Sequence, residues 1–277
     1  MHGVGEQTVV GKVVRILDCF SIENDRFTLA GLTRQSDLPK PTVLRLARML
    51  CAVGMLEHDG TEYRLGRRLY EFGMQVPRER ILREFALPYM EELYEMSKQT
   101  VQLGIPSGAE VLYIQKMGGH RQLFSPSRLG DRMPLYCTAI GKAMLAHYTA
   151  DEIEKVIAGG LPRRTPRTID GAQRLRRELE TVRESGIAFE FEESCMGVAC
   201  VGAPILDDFG RPVAALSISG PVQRFTPRRF ASAVSRVAGA VAAAVSGHAG
   251  RDAWAAEQPG MSGPWHRAQW GIKGHAA

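Results

Sequence analysis

Between Thr28 and Leu65 the chain turns so often that only a small, tightly packed unit can hold it. Thr28 suits a helix N-cap before Leu29 to Gln35. Ser36-Asp37-Leu38-Pro39 reads as a compact turn, and Pro41 fits the first position of a helix running to about Ala52. Val43, Leu46, Ala47, Leu50 and Val53 share one face of that helix, and Gly54 stands where its end calls for a left-handed residue. Met55 to His58 and Glu62 to Leu65 then read as two strands around Asp59-Gly60-Thr61. Upstream, Val9, Val13, Ile16, Leu17 and Phe20 form another apolar helical stripe. Isolated helices below about 12–15 residues are marginal in water. These elements must therefore bury their stripes against one another.

Helix, turn, helix and hairpin is the plan of a winged helix-turn-helix, whose second helix enters the major groove of double-stranded DNA. The outer surface of that helix carries Lys40, Thr42, Arg45 and Arg48 (or Met49). From Arg26 to Ala52 five cations face one anion, Asp37, and this surplus of four nearly equals the +5 of the whole chain. The hairpin adds Arg64, with Arg67 and Arg68 just beyond. An ordinary solvated basic face on a three-helix core would show the same residues. The hairpin at the expected distance, and charge concentrated on one helix, favour DNA.

At 277 residues there is room for two domains. Arg78 to Ser97 has a helical pattern that Pro88 should kink or divide. Strand-like runs follow at Val101–Ile105, Glu110–Met117, Ile187–Phe191, Ala199–Leu206 and Pro212–Ser219. Helices are expected over Ala139–His147, after the capping-box sequence Thr149-Ala150-Asp151-Glu152, over Asp170–Ser185, and from Thr226 (N-cap) and Pro227 to about Gly247. Strands with local connections and flanking helices predict an α+β domain around an antiparallel sheet. From His248 onward periodicity fades. That stretch, which holds Trp254, Trp265 and Trp270, reads as a flexible tail or a partner-binding segment.

Composition narrows the function classes. Five cysteines without Cys-x-x-Cys argue for reduced thiols, and the first residues lack the regions of a signal peptide. Phe230 to Val245 is Ala-rich but interrupted by Ser232, Ser235 and Arg236, which reads as a soluble-protein helix. A cytoplasmic protein away from membranes is expected. No dinucleotide or phosphate-loop motif is present, no metal-ligand spacing stands out, and no base sits near Cys195 or Cys200 in sequence. Neither a cofactor nor an enzymatic role is implied.

The segment Thr28 to Gly66, above all Leu38-Pro39-Lys40-Pro41-Thr42-Val43-Leu44-Arg45-Leu46, Val53-Gly54-Met55-Leu56 and Tyr63-Arg64-Leu65-Gly66, resembles the DNA-binding domain of IclR-type transcriptional regulators. Pro41 stands where that family usually has Ser, and Asp37 where it has the turn Gly. The resemblance continues through Gly130-Asp131-Arg132-Met133-Pro134-Leu135, Thr138 to Ala146, Thr165-Pro166-Arg167-Thr168-Ile169, Gly197 to Pro204 and Ala214 to Pro221. It implies a GAF-like effector-binding domain after the winged helix. The corresponding bounds are 1–76 for the DNA-binding domain, 77–97 for a linker helix, 98–247 for the effector domain and 248–277 for the tail.

The resemblance further implies DNA contacts at Thr28, Lys40, Thr42, Arg45, Arg48 and Arg64. It implies an effector pocket at Ala139, Ile140, Glu190, Cys200, Ser217 and Ser219, taking an organic or aromatic acid. Ser217 and Ser219 alternate with Leu216 and Ile218, so both hydroxyls share a side, and Ala139-Ile140 open a helix whose N–H groups favour a carboxylate. Ile140, where the family commonly has a smaller residue, would narrow and grease such a pocket; Glu190 often is Asp there. On spacing alone, the serines could equally be the polar face of a half-exposed strand and Cys200 a small buried hydrophobe. A homodimer or dimer of dimers is expected on a pseudo-palindromic operator, with Val9 to Phe20 as a dimer contact. The competing reading is an architectural or constitutive DNA binder whose second domain only oligomerises.

Overall fold

The computed structural model describes residues 7–118 and 127–249. The tail from 250 to 277, with all three tryptophans, lies outside them. Two compact units divide at Arg80/Ile81.

In the first unit, α1 (Val9–Leu17), α2 (Leu29–Ser36) and α3 (Lys40–Ala52) pack on a three-stranded antiparallel sheet. Its strands are β1 (Phe27–Thr28), β2 (Leu56–Asp59) and β3 (Glu62–Leu65), in the order β1-β3-β2. Ile16, Leu32, Val43, Leu46, Leu50 and Leu56 close the core. The Thr28 hydroxyl accepts the Gly31 N–H at 3.1 Å, so the expected N-cap is present. Asp37 takes the left-handed conformation at φ 52°, where Gly would be unstrained. Arg15 offsets this by donating to the Ser36 and Asp37 carbonyls. Gly54 (φ 73°) ends α3, and Gly66 approaches it so closely that an added Cβ would lie 2.1 Å from the Gly54 carbonyl oxygen. The segment after Gly66, read from sequence only as a join, forms α4 (Arg67–Met74).

In the second unit a six-stranded antiparallel sheet has the order β6-β5-β4-β9-β8-β7. Its strands are β4 (Thr100–Ser107), β5 (Glu110–Met117), β6 (Arg132–Pro134), β7 (Ala188–Phe191), β8 (Val198–Leu206) and β9 (Pro212–Pro221). One face packs against α5 (Pro77–Ser97) and α9 (Ala231–Ala249) through Leu82, Met90, Leu93, Val237 and Val241. The other carries α6 (Ala139–Leu145), α7 (Ala150–Ala158) and α8 (Ala172–Ser185).

Two local expectations need correction. Helix α5 continues through Pro88 rather than dividing there, with Ala86 and Met90 on either side buried in the core. Thr226 makes no side-chain cap, because Pro227–Phe230 form a 3-10 turn before α9 begins. Pro227–Gly247 is long and apolar enough to cross a membrane by length and composition alone. Its stripe of Val234, Val237, Val241 and Val245 is instead buried against the sheet.

On the α6 side sits a fully buried cation. The Lys142 ammonium donates to Glu178 Oε1 of α8 at 2.8 Å and to Glu193 Oε1, in the loop after β7, at 2.7 Å. Burial works against the charge, but the two carboxylates hold the Lys142 pKa above its ordinary value. Replacing it by Met leaves Glu193 buried without its counter-ion. The expected cost is about 3–5 kcal/mol in denaturant unfolding of the full chain, partly recovered when Glu193→Gln is added. A loss below about 1 kcal/mol would mean that water screens the network.

Candidate functional site

Strand register assembles the first candidate site. Glu190 of β7 faces Cys200 of β8, which faces Ser219 of β9, so the three side chains form one row on the α6 side of the sheet. In the parallel row Gly202 faces Ser217, which faces Gln102 of β4. Gly202 has no side chain for a reason: a Cβ there would lie 3.0 Å from the Ala139 carbonyl carbon, so its absence lets the start of α6 rest on the strand. Thr138 caps α6, its hydroxyl accepting the Gly141 N–H at 3.0 Å.

A cavity of about 310 Å3, part of it open to solvent, lies between these rows, α6 and β5. All six residues inferred from sequence, Ala139, Ile140, Glu190, Cys200, Ser217 and Ser219, line it. Ser217 and Ser219 are 2% and 6% exposed, which removes the alternative of a half-exposed polar strand face. Ile140 contributes apolar wall, as its size suggested.

Sequence reasoning missed Gln102, Tyr113, Ser127, Thr138 and Ser194. Gln102 Oε1 accepts from the Ser219 hydroxyl at 3.2 Å, and its Nε2 donates to Ser127 Oγ at 2.5 Å. A lone Gln between Val101 and Leu103 was the one sequence signal that could have found this wall; it is 4% exposed. The others depend on pairings that periodicity does not carry.

Glu190 is anchored by the following loop. Its Oε1 accepts from the Glu193 N–H at 2.9 Å and from Ser194 N–H and Oγ at 3.1 Å each. The loop is held in turn by Thr165, whose hydroxyl donates to the Glu192 carbonyl at 2.5 Å, and by Thr168, which donates to the Glu193 carbonyl at 2.7 Å. Glu192 sits at φ 59° and pairs with Arg167 at 3.1 Å. Among the described residues no cluster of His, Cys, Asp or Glu could hold a metal ion.

The second candidate site is the outer face of α3. Lys40, Arg45 and Arg48 are exposed and Thr42 is half-buried; among the described residues Arg45 reaches only the Met49 sulfur, at 3.7 Å. Thr28 is exposed, and its hydroxyl keeps its proton for a further acceptor while capping α2. Arg64 is not free: it pairs with Glu57 at 2.8 Å on the hairpin, and that bond holds the Glu57 carboxyl below its ordinary pKa. Arg68, by contrast, closes the end of α3 by donating to the Val53 carbonyl at 2.9 Å.

The helix-turn-helix unit and the sheet domain that follows it match two family models in the same order. Residues 9–60 match the model of the IclR helix-turn-helix domain, and residues 74–246 that of the bacterial transcriptional regulator IclR C-terminal domain. The chain belongs to the IclR family of transcriptional regulators. The HTH-type transcriptional regulator KdgR of Escherichia coli K12 is 34% identical over 222 residues, covering 79% of this chain and 84% of KdgR. The repressor AllR of Klebsiella pneumoniae is 31% identical over 222 residues, covering 79% of this chain and 82% of AllR. An IclR homolog from Microbacterium hydrocarbonoxydans, solved with 4-hydroxybenzoate, matches with a TM-score of 0.82 at 26% identity over 87% of this chain and 100% of that one. As an IclR-family regulator the chain acts on transcription, with its helix-turn-helix as the DNA-binding part.

Cys200 of the cavity and the buried Cys137 are chemically quiet thiols. Burial, despite nearby Arg164, pushes Cys137 up to about 12, and burial with Glu190 alongside raises Cys200 well above the ordinary thiol range. Iodoacetamide near neutral pH should leave both unmodified in the native IclR-family protein and alkylate both after unfolding, as read by peptide mass spectrometry. Rapid native labelling of Cys200 would show that it is a thiolate.

Proposed function

We propose that this IclR-family regulator is a cytoplasmic, effector-responsive transcription factor that binds a pseudo-palindromic operator as a homodimer or dimer of dimers. Residues 1–76 would form the DNA-binding domain, 77–97 the linking helix and 98–247 the effector domain. The observation that carries the effector reading is the cavity, whose buried hydroxyls, amide and carboxyl are placed to hold a small polar molecule. That the Microbacterium relative was solved with 4-hydroxybenzoate supports an organic or aromatic acid.

On the DNA side, Lys40, Thr42, Arg45 and Arg48 of α3 would face the major groove, with Thr28 and Arg64 on flanking phosphates. The Arg64–Glu57 pair is exposed and screened by solvent, so it does not remove Arg64 from the interface. Val9 and Val10 of α1 are 53% and 70% exposed and offer apolar surface for the dimer contact.

A mobility shift on the gene's own upstream region, with competitor DNA and fixed salt, tests the reading. Organic acids, sugars, phenols and amines would be screened for release or tightening. Arg45→Ala should cost about 1–3 kcal/mol at one base position; an equal loss on every sequence would make Arg45 a phosphate contact. Ser217→Ala combined with Ser219→Ala should abolish the effector response and leave apo binding to the operator intact. If no compound of any class changes operator affinity, the second domain only assembles subunits.

A further inference from the structure

Glu190 is fully buried and lines the cavity, yet among the described residues it has no cation of its own. The nearest one, Lys142, gives its bonds to Glu178 and Glu193. Glu190 Oε1 already receives its three donors from the loop. Its Oε2 is equally cut off from water and, among the described residues, has no donor beyond the weak one of the Cys200 thiol beside it. A carboxylate buried away from water and without a paired cation costs so much that the group takes up a proton instead. Since Oε1 is occupied by donors, the proton belongs on Oε2.

We propose that Glu190 is held as the neutral carboxylic acid and that its Oε2–H is the donor on which a carboxylate effector seats, so that effector and proton bind together. This rests on the effector reading above and names the chemistry of the same cavity.

The groups facing Glu190 agree with this. Cys200 from β8, Tyr113 from β5 and Cys137 from the turn before α6 are themselves kept neutral by burial. Lys142 from α6 is paired with Glu193 from the loop and with Glu178 of α8. Burial is the main cause that lifts the Glu190 pKa, against the Cys200 thiol, the Ser194 donors and the Lys142 charge. Glu193 must be told apart from it, because burial pushes that carboxyl up to about 7 despite Lys142.

A ligand carboxylate on this O–H makes a short, charge-assisted bond. An ionised Glu190 would instead set two anions side by side. The sign of the pH dependence follows: binding is full while Glu190 is protonated and weakens about tenfold per pH unit above its pKa in the free protein. A cationic effector would give the opposite slope.

Infrared difference spectra of full-length wild type against Glu190→Gln near neutral pH should show a carboxylic-acid carbonyl band lost in the variant. A carboxylate band lost instead overturns the proposal. Calorimetric titration with benzoate, 4-hydroxybenzoate and pyruvate, or with a carboxylate found by the operator screen, should show proton uptake on the alkaline side. In Glu190→Gln the amide N–H replaces the donor, so binding should persist without pH dependence, whereas Glu193→Gln should keep that dependence. The proposal fails if the dependence survives Glu190→Gln and vanishes in Glu193→Gln. It also fails, with the effector reading intact, if the screen yields only amines or uncharged effectors. A screen in which no compound acts removes the effector reading itself and this proposal with it.

Discussion

Lys142 holds a full charge where water does not reach, and much of the second unit is arranged to satisfy it. Its two partners come from different elements: Glu178 from α8 and Glu193 from the loop after β7. That loop also supplies the three donors that fix Glu190 Oε1. One buried cation therefore ties α6, α8 and the cavity wall together. Apolar residues of similar size in place of all three charged groups could fill the same volume and would often be as stable. What they could not do is dictate where a carboxylate-bearing loop must sit. The ion trio thereby ties the loop that holds Glu190 to α6 and α8.

The two units solve the burial problem differently, which bears on what each can do. The first has short helices whose cores meet at Leu32, Val43, Leu46 and Leu56, leaving the whole outer face of α3 to solvent. Its caps come from side chains reaching across, Arg15 at the end of α2 and Arg68 at the end of α3. Those two cations are structural, whereas Lys40, Arg45 and Arg48 remain on the surface. Charge counted along the sequence does not make this distinction; hydrogen-bond geometry does.

Periodicity and capping made most of the elements legible. Thr28, Gly54, Gly186 and the Thr149–Glu152 box stop or start helices where the residues said they would. Two misses share one cause: β1 has two residues and exists only through pairing with β3, while α4 begins at Gly66 without a side-chain cap and buries none of its residues. At Thr226 a local signal was overridden by the 3-10 geometry of Pro227–Phe230. In the cavity, the residues reached through family resemblance sit together, but Gln102 and Ser194 do not announce themselves. Gln102 is a polar residue in an apolar strand, and its role follows only from register with Ser217 and a bond to Ser219.

Register also explains why the polar row can exist at all. In an antiparallel sheet, residues directly opposite share a face, so Glu190, Cys200 and Ser219 stand side by side only because β7, β8 and β9 pair as they do. A slip of one residue would turn all three into the apolar layer under α5 and α9 and expose Ala199, Val201 and Ile218 to the cavity. That layer contains Leu93, Val237 and Val241, none of which could satisfy a carboxyl group. The apolar packing on one face thus fixes the polar chemistry of the other. The cavity depends on the hydrophobic pattern as much as on the residues that line it.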